Sequence, residues 1–169
     1  MSARLVLVMM LAGSAAACGG SPQPAPAQPG PRTSIARREL PPEIQPLVPR
    51  HGVYVAGGGE KSEVFRVIVD TDAKTIYSGK GPAASAMHGK LADERTRELT
   101  PANEQHLMRL CADAWAEPAP TTEPDPVAGY DEFFVIADGD ELFFVEGHGP
   151  IKRPKAVQAI EALRAAAAL

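Results

Sequence analysis

The sequence predicts an α+β fold: an antiparallel sheet of about four to five strands from two β-hairpins, with two helices packed on one face. Three observations carry this. Residues 64–69 and 130–146 alternate β-branched and aromatic side chains around turn residues, the period-2 pattern of half-buried strands. Residues 101–116 and 154–167 repeat apolar side chains every three to four positions, one stripe per helix. Phe133, Phe134, Phe143 and Phe144, four of the five phenylalanines, fall on the second hairpin, so the core is expected to concentrate there. A signal peptide and a Pro-rich disordered tether are expected to precede the domain, dividing the chain into residues 1–17, 18–49 and 50–169.

In chain order, residues 51–55 read as a short strand ended by Gly57-Gly58-Gly59. Residues 64–69 set Phe65, Val67 and Val69 against Val64, Arg66 and Ile68. A turn at residues 70–74 then leads into a return strand at 75–78. Residues 79–93 read as loop and 95–99 as a brief strand. Thr100-Pro101 is a helix start, a hydroxyl N-cap followed by proline where its missing N–H costs nothing. Leu107, Leu110, Cys111, Ala114 and Trp115 line one face of that helix. Residues 117–129 hold four prolines and read as loop. The strands at 130–137 and 141–146 join through Asp138-Gly139-Asp140, and Asp-Gly is a strong hairpin signal. The last helix starts near Pro154, with Val157, Ile160, Leu163 and Ala167 as its stripe. Residues 67–82 and 135–150 align without a gap over 16 positions, which suggests an internal repeat; turn chemistry and strand alternation alone would also produce such a match.

Ahead of the domain, Arg4 and the amino group precede the uncharged run Leu5-Val6-Leu7-Val8-Met9-Met10-Leu11-Ala12, the length of a signal-peptide core. It is too short to span a bilayer, which takes roughly 20 apolar residues. Gly13-Ser14 and the small residues Ala15-Ala16-Ala17 then lead directly into Cys18. This stretch resembles the lipobox of bacterial lipoproteins, although that family favours Leu where this chain has Ala15. The resemblance covers only residues 1–18. It implies cleavage before Cys18 and acylation of its thiol and new amine. Gly19 rather than Asp after the cysteine implies the outer membrane, facing the periplasm or the cell surface. The alternative is an ordinary secretory cut after Ala17 that leaves Cys18 free. A single acyl chain binds membranes only marginally, whereas two or three anchor at about 0.8 kcal/mol per buried methylene. Residues 19–49 carry nine of the 17 prolines, a linker without a core of its own, although Ile44, Leu47 and Val48 suit a short arm packed on the domain.

Loss of the leader removes Arg4 and leaves 16 basic against 21 acidic side chains, a net charge of −5. With no basic tract, neither nucleic acid nor anionic lipid headgroups are expected partners. The expected partners are the membrane, through the lipid on Cys18, and an envelope protein. No cofactor or metal is expected. With Cys18 acylated, Cys111 is the one thiol left, and its place beside Leu107 and Trp115 points to a buried, inert group.

Several features invite a chemical reading. Gly57-Gly58-Gly59-Glu60-Lys61-Ser62 resembles a phosphate loop only loosely, because Glu60 separates the glycines from Lys61. Asp70-Thr71-Asp72 and Asp138-Gly139-Asp140-Glu141 could each surround calcium. An EF-hand loop starting at Asp138 would, however, need glycine where Phe143 stands. His51, His88, His106 and His148 share no metal-ligand spacing, and His106 is expected on the polar face of its helix. His148, between two glycines after the aromatic hairpin, is the most suggestive of the four. The leading expectation is a non-enzymatic lipoprotein that binds a protein through its exposed sheet face or loops. The alternative is a small hydrolase or ligand-binding enzyme with a site near His148 and the loop of residues 79–90, which needs a histidine meeting a carboxylate in a cleft.

Overall fold

The computed structural model describes residues 34–83, 85, 87–120 and 126–169, so the leader and Cys18 lie outside the described residues. The fold is α+β, with a six-stranded, wholly antiparallel sheet and two helices. The strands are β1 (His51–Gly59), β2 (Ser62–Asp70), β3 (Thr75–Gly81), β4 (Arg95–Glu98), β5 (Tyr130–Asp138) and β6 (Glu141–Gly147). Their spatial order is β4-β3-β2-β1-β5-β6, and α1 (Pro101–Trp115) and α2 (Pro154–Ala167) share one face.

Both expected hairpins form, and the count rises to six because the first and fourth strands complete the same sheet. β1 lies at its centre, between β2 and β5, and is buried from Gly52 to Gly58. It runs through the three glycines instead of ending at them. Gly59 has to be glycine, because a Cβ there would overlap the Gly129 carbonyl oxygen. The register with β2 shifts between Gly57 and Gly59, a bulge that absorbs the crowding. β2 and β3 pair Asp70 with Thr75 across a four-residue turn, whereas β5 and β6 pair Asp138 with Glu141 across two residues. Gly139 makes that tighter turn possible with φ +65°.

These turns also bear on the apparent repeat. A gapless match sets Val67 on Val135, but Val67 faces the helices and Val135 faces the opposite side of the sheet. The matched residues therefore occupy inequivalent places, which favours turn chemistry over duplication.

The helix-side core joins Val53, Val55, Phe65, Val67, Phe134 and Phe143 to the stripes of α1 and α2. All five expected α1 residues are buried, and Trp115 lies 6.1 Å from the Phe143 ring centroid. On α2 the stripe differs by one step. Ala156 and Ala159 are buried with Ile160, Leu163 and Ala167, while Val157 is only half-buried. Small residues at those two positions let the helix approach its neighbours closely.

The other sheet face is covered too. Residues 35–48 cross it as an arm with two single-turn helices, Arg37–Glu39 and Gln45–Leu47. The arm buries Leu40, Ile44 and Val48 on Tyr54, Phe133, Val135 and Leu142. Arg37 holds it in shape by donating to the carbonyls of Val48 (2.8 Å), Pro49 (2.9 Å) and Gln45 (3.4 Å). The short arm expected from Ile44, Leu47 and Val48 thus forms, and among the described residues its packing extends back to Ile35. The arm also covers part of the face expected to be open for binding.

Candidate functional site

His148 follows the last residue of β6. Gly147 pairs with Glu132, which brings His148 beside Asp131 at the start of β5. The His148 Nδ1 lies 2.9 Å from Asp131 Oδ1, so a histidine does meet a carboxylate here. Their side chains are 72% and 48% exposed, however, and water around the pair screens its electrostatics. The second half of the expected site lies elsewhere. β3 extends to Gly81, so the following loop starts at the same end of the sheet as His148 but four strands away, about 19 Å at the usual strand spacing. The fold does not bring His148 and the loop of residues 79–90 together.

That loop is tied to a residue the sequence reading passed over. Arg66 is 4% exposed and points to the arm side of the sheet. It donates from Nη1 to the carbonyls of Met87 (2.9 Å) and Gly89 (2.8 Å), and from Nη2 to the Tyr77 hydroxyl (3.0 Å). Glu94 lies 3.6 Å from Nη2 and accepts the Leu91 N–H. The Tyr77 hydroxyl, first, and the Leu91 N–H hold the Glu94 carboxyl below its ordinary range. Among the described residues, the Arg66 Nε and the hydroxyl of neighbouring Tyr54 are both buried without a hydrogen-bond partner. Burial, chiefly, pushes the Tyr54 phenol far up.

Glu132 is the second polar group the sequence reading passed over. It is buried on the helix side, where its Oε2 accepts the Ile151 N–H at 2.6 Å. Burial raises its carboxyl pKa, opposed by that N–H and by Arg164. Tyr130 is raised as well, by burial first and by Glu132 second. The one available clue was an acidic residue in phase with Phe134 and Ile136.

The remaining candidates are spread out. His51 stands at the opposite end of the sheet, its Nδ1 2.8 Å from Asp72 Oδ2. The two acidic turns flank it there, because His51 pairs with Asp138 and Gly52 with Asp70. Asp70 spends its Oδ1 on the N–H groups of Asp72 and Ala73, both at 2.9 Å, the turn role expected of it. Among the described residues no group of three or more histidines, cysteines or carboxylates is placed to hold a metal. His88 is exposed, and His106 lies 3.3 Å from Arg109 on the outer face of α1. Cys111 is buried in the helix-side core, and burial pushes its thiol up to about 12, which keeps it protonated and unreactive.

The chain matches no known protein family and no curated protein sequence. Among the described residues no helix is long and apolar enough to cross a membrane.

Proposed function

We propose that the chain is exported, loses residues 1–17, is lipidated on Cys18 and acts as a non-enzymatic envelope protein that works through protein contacts. The observation that carries this reading is the run Ala15-Ala16-Ala17-Cys18 behind a short apolar core, followed at once by a Pro-rich segment suited to a tether. The buried polar groups support the binding part of it. Arg66 and Glu132 are both committed to backbone partners, as structural groups are. The anchor places the body at the outer membrane, with its loops and the His148 end as the surfaces for a partner. In membrane fractionation, the unaltered protein stays with the membrane through a high-salt wash and the Cys18→Ser variant leaves with the soluble fraction. Release of both forms by salt alone would overturn the anchoring.

One observation favours the second reading, an enzyme acting near His148: its 2.9 Å approach to Asp131. A carboxylate at Nδ1 orients an imidazole for proton transfer. Hydrolysis of a broad ester and amide panel that His148→Ala abolishes, with stability unchanged, would establish that reading in place of the first.

A further inference from the structure

The two edges of the sheet are finished differently. At β6 the arm already reaches the edge, where the Ile35 N–H donates to the Leu142 carbonyl at 2.8 Å. β4 closes the other side with Arg95, Thr96, Arg97 and Glu98, all exposed. Two bonds fix the phase of that edge: the Leu99 N–H donates to the Lys74 carbonyl, and the Asp93 N–H to the Lys80 carbonyl. In an antiparallel ladder the bonded pairs recur at every second residue, so Arg95 and Arg97 bond inward, to Ser78 and Ile76. Thr96 and Glu98 turn their N–H and carbonyl groups outward, and among the described residues no backbone group meets them.

Side chains alternate in step with the backbone. Ile76 belongs to the helix-side core, so its partner Arg97, and Arg95 with it, lie on the helix face of the edge. Neighbouring cations have carboxylate partners: Arg66 has Glu94, Lys74 has Glu104 and Lys80 has Glu63. Among the described residues Arg95 and Arg97 have none. They stand about 7 Å apart along the strand, the spacing of two residues. Such charges deter another strand of like charge, and a second copy fits worst. A two-fold axis that joins the open backbone groups passes Thr96, Arg97 or Glu98. The first sets Arg95 on Arg97 twice, the second sets Arg97 on itself, and the third opposes two Glu98 carboxylates.

We propose that the β4 edge takes up an extended acidic segment of a partner protein as an added antiparallel strand. The partner residues opposite Thr96 and Glu98 exchange backbone hydrogen bonds with them. Those opposite Arg95 and Arg97 carry carboxylates, in the non-hydrogen-bonded pairs where facing side chains stand closest. The pattern recognised is acid-x-acid, preceded by a basic or neutral residue facing Glu98. Backbone bonds supply the affinity and the alternate side chains the choice of partner. The inference rests on the protein-contact part of the proposed function and is independent of the lipid.

The test adds a capped peptide, Thr-Lys-Glu-Val-Glu-Thr, to the processed protein in neutral detergent micelles and reads amide exchange by NMR. At saturation the Thr96 and Glu98 amides are expected to exchange at least about tenfold more slowly than in the free protein. Arg95→Glu combined with Arg97→Glu weakens binding at least about tenfold and reverses the preference toward a peptide with Lys in place of both Glu. On the unaltered protein, N-methylation of the Val amide, which faces Thr96, abolishes binding, and N-methylation of the first Glu amide leaves it intact. Absence of binding, binding that leaves Thr96 and Glu98 unprotected, or equal affinity of the unaltered and substituted proteins would overturn the proposal. Each of those results leaves the membrane fractionation of Cys18→Ser as it was, and loss of the anchor leaves the peptide measurement as it was.

Discussion

Glu117 caps a helix to which it does not belong: both of its carboxylate oxygens lie 3.2 Å from the Lys155 backbone nitrogen, in the first turn of α2. Arg153, the residue just before α2, has no side-chain cap bond of its own. It turns its guanidinium back to the Glu117 carbonyl at 2.5 Å and over the Phe143 ring at 5.0 Å. The end of α1 is thus joined to the start of α2 by a carboxylate at a helix N-terminus, where the dipole favours negative charge.

Glu117→Ala is expected to cost about 1–2 kcal/mol, the usual range for a lost N-cap. Urea unfolding gives the value, and Glu117→Gln, which keeps an acceptor but no charge, is expected to recover part of it.

Glu132 gives the protein a pH dependence of definite sign. A carboxyl held above its ordinary value of 4.5 in the fold binds its proton more tightly there than in the unfolded chain. The stability it contributes is fully present below about pH 4.5 and declines as pH rises through the folded value. Glu132→Gln keeps an oxygen for the Ile151 N–H and loses the proton. The stability of the native protein relative to this variant should therefore fall with rising pH above 4.5, as read from denaturant midpoints at matched pH values.

Among the described residues the Tyr54 hydroxyl is buried and has no hydrogen-bond partner. Tyr54→Phe removes it at little change in shape, so this variant is expected to be more stable by about 1 kcal/mol, measured by thermal or urea unfolding.

Arg66→Met takes the donors from Met87, Gly89 and Tyr77 together. The expected cost is about 3 kcal/mol. Limited proteolysis should then cut at Lys90 well before any site in α1, because the loop loses what holds it to β2.

The elements that could be read in advance depend on local chemistry. For α1, Thr100-Pro101 and an apolar stripe suffice, and Thr100 does accept the Asn103 N–H, at 3.4 Å. The Asp138-Gly139 turn needs only a residue at ease with positive φ. What escaped depends on neighbours distant in sequence. Gly57-Gly58-Gly59 reads as a turn until Gly129 packs against Gly59. Ile44 and Val48 suit a packed arm from the sequence alone, but Leu40 stands beside two prolines, and only the sheet face beneath makes it core. Arg66 looks like the solvent side of a strand, and the carbonyls that bury it belong to a loop more than 20 residues away.

The most direct measurement is the intact mass of the processed protein taken from membranes. The expected mass is that of residues 18–169 plus two or three fatty chains, with the addition lost in Cys18→Ser. A chain beginning at Cys18 with no added mass, or one still carrying residues 1–17, would contradict the lipid anchor on which the proposed function rests.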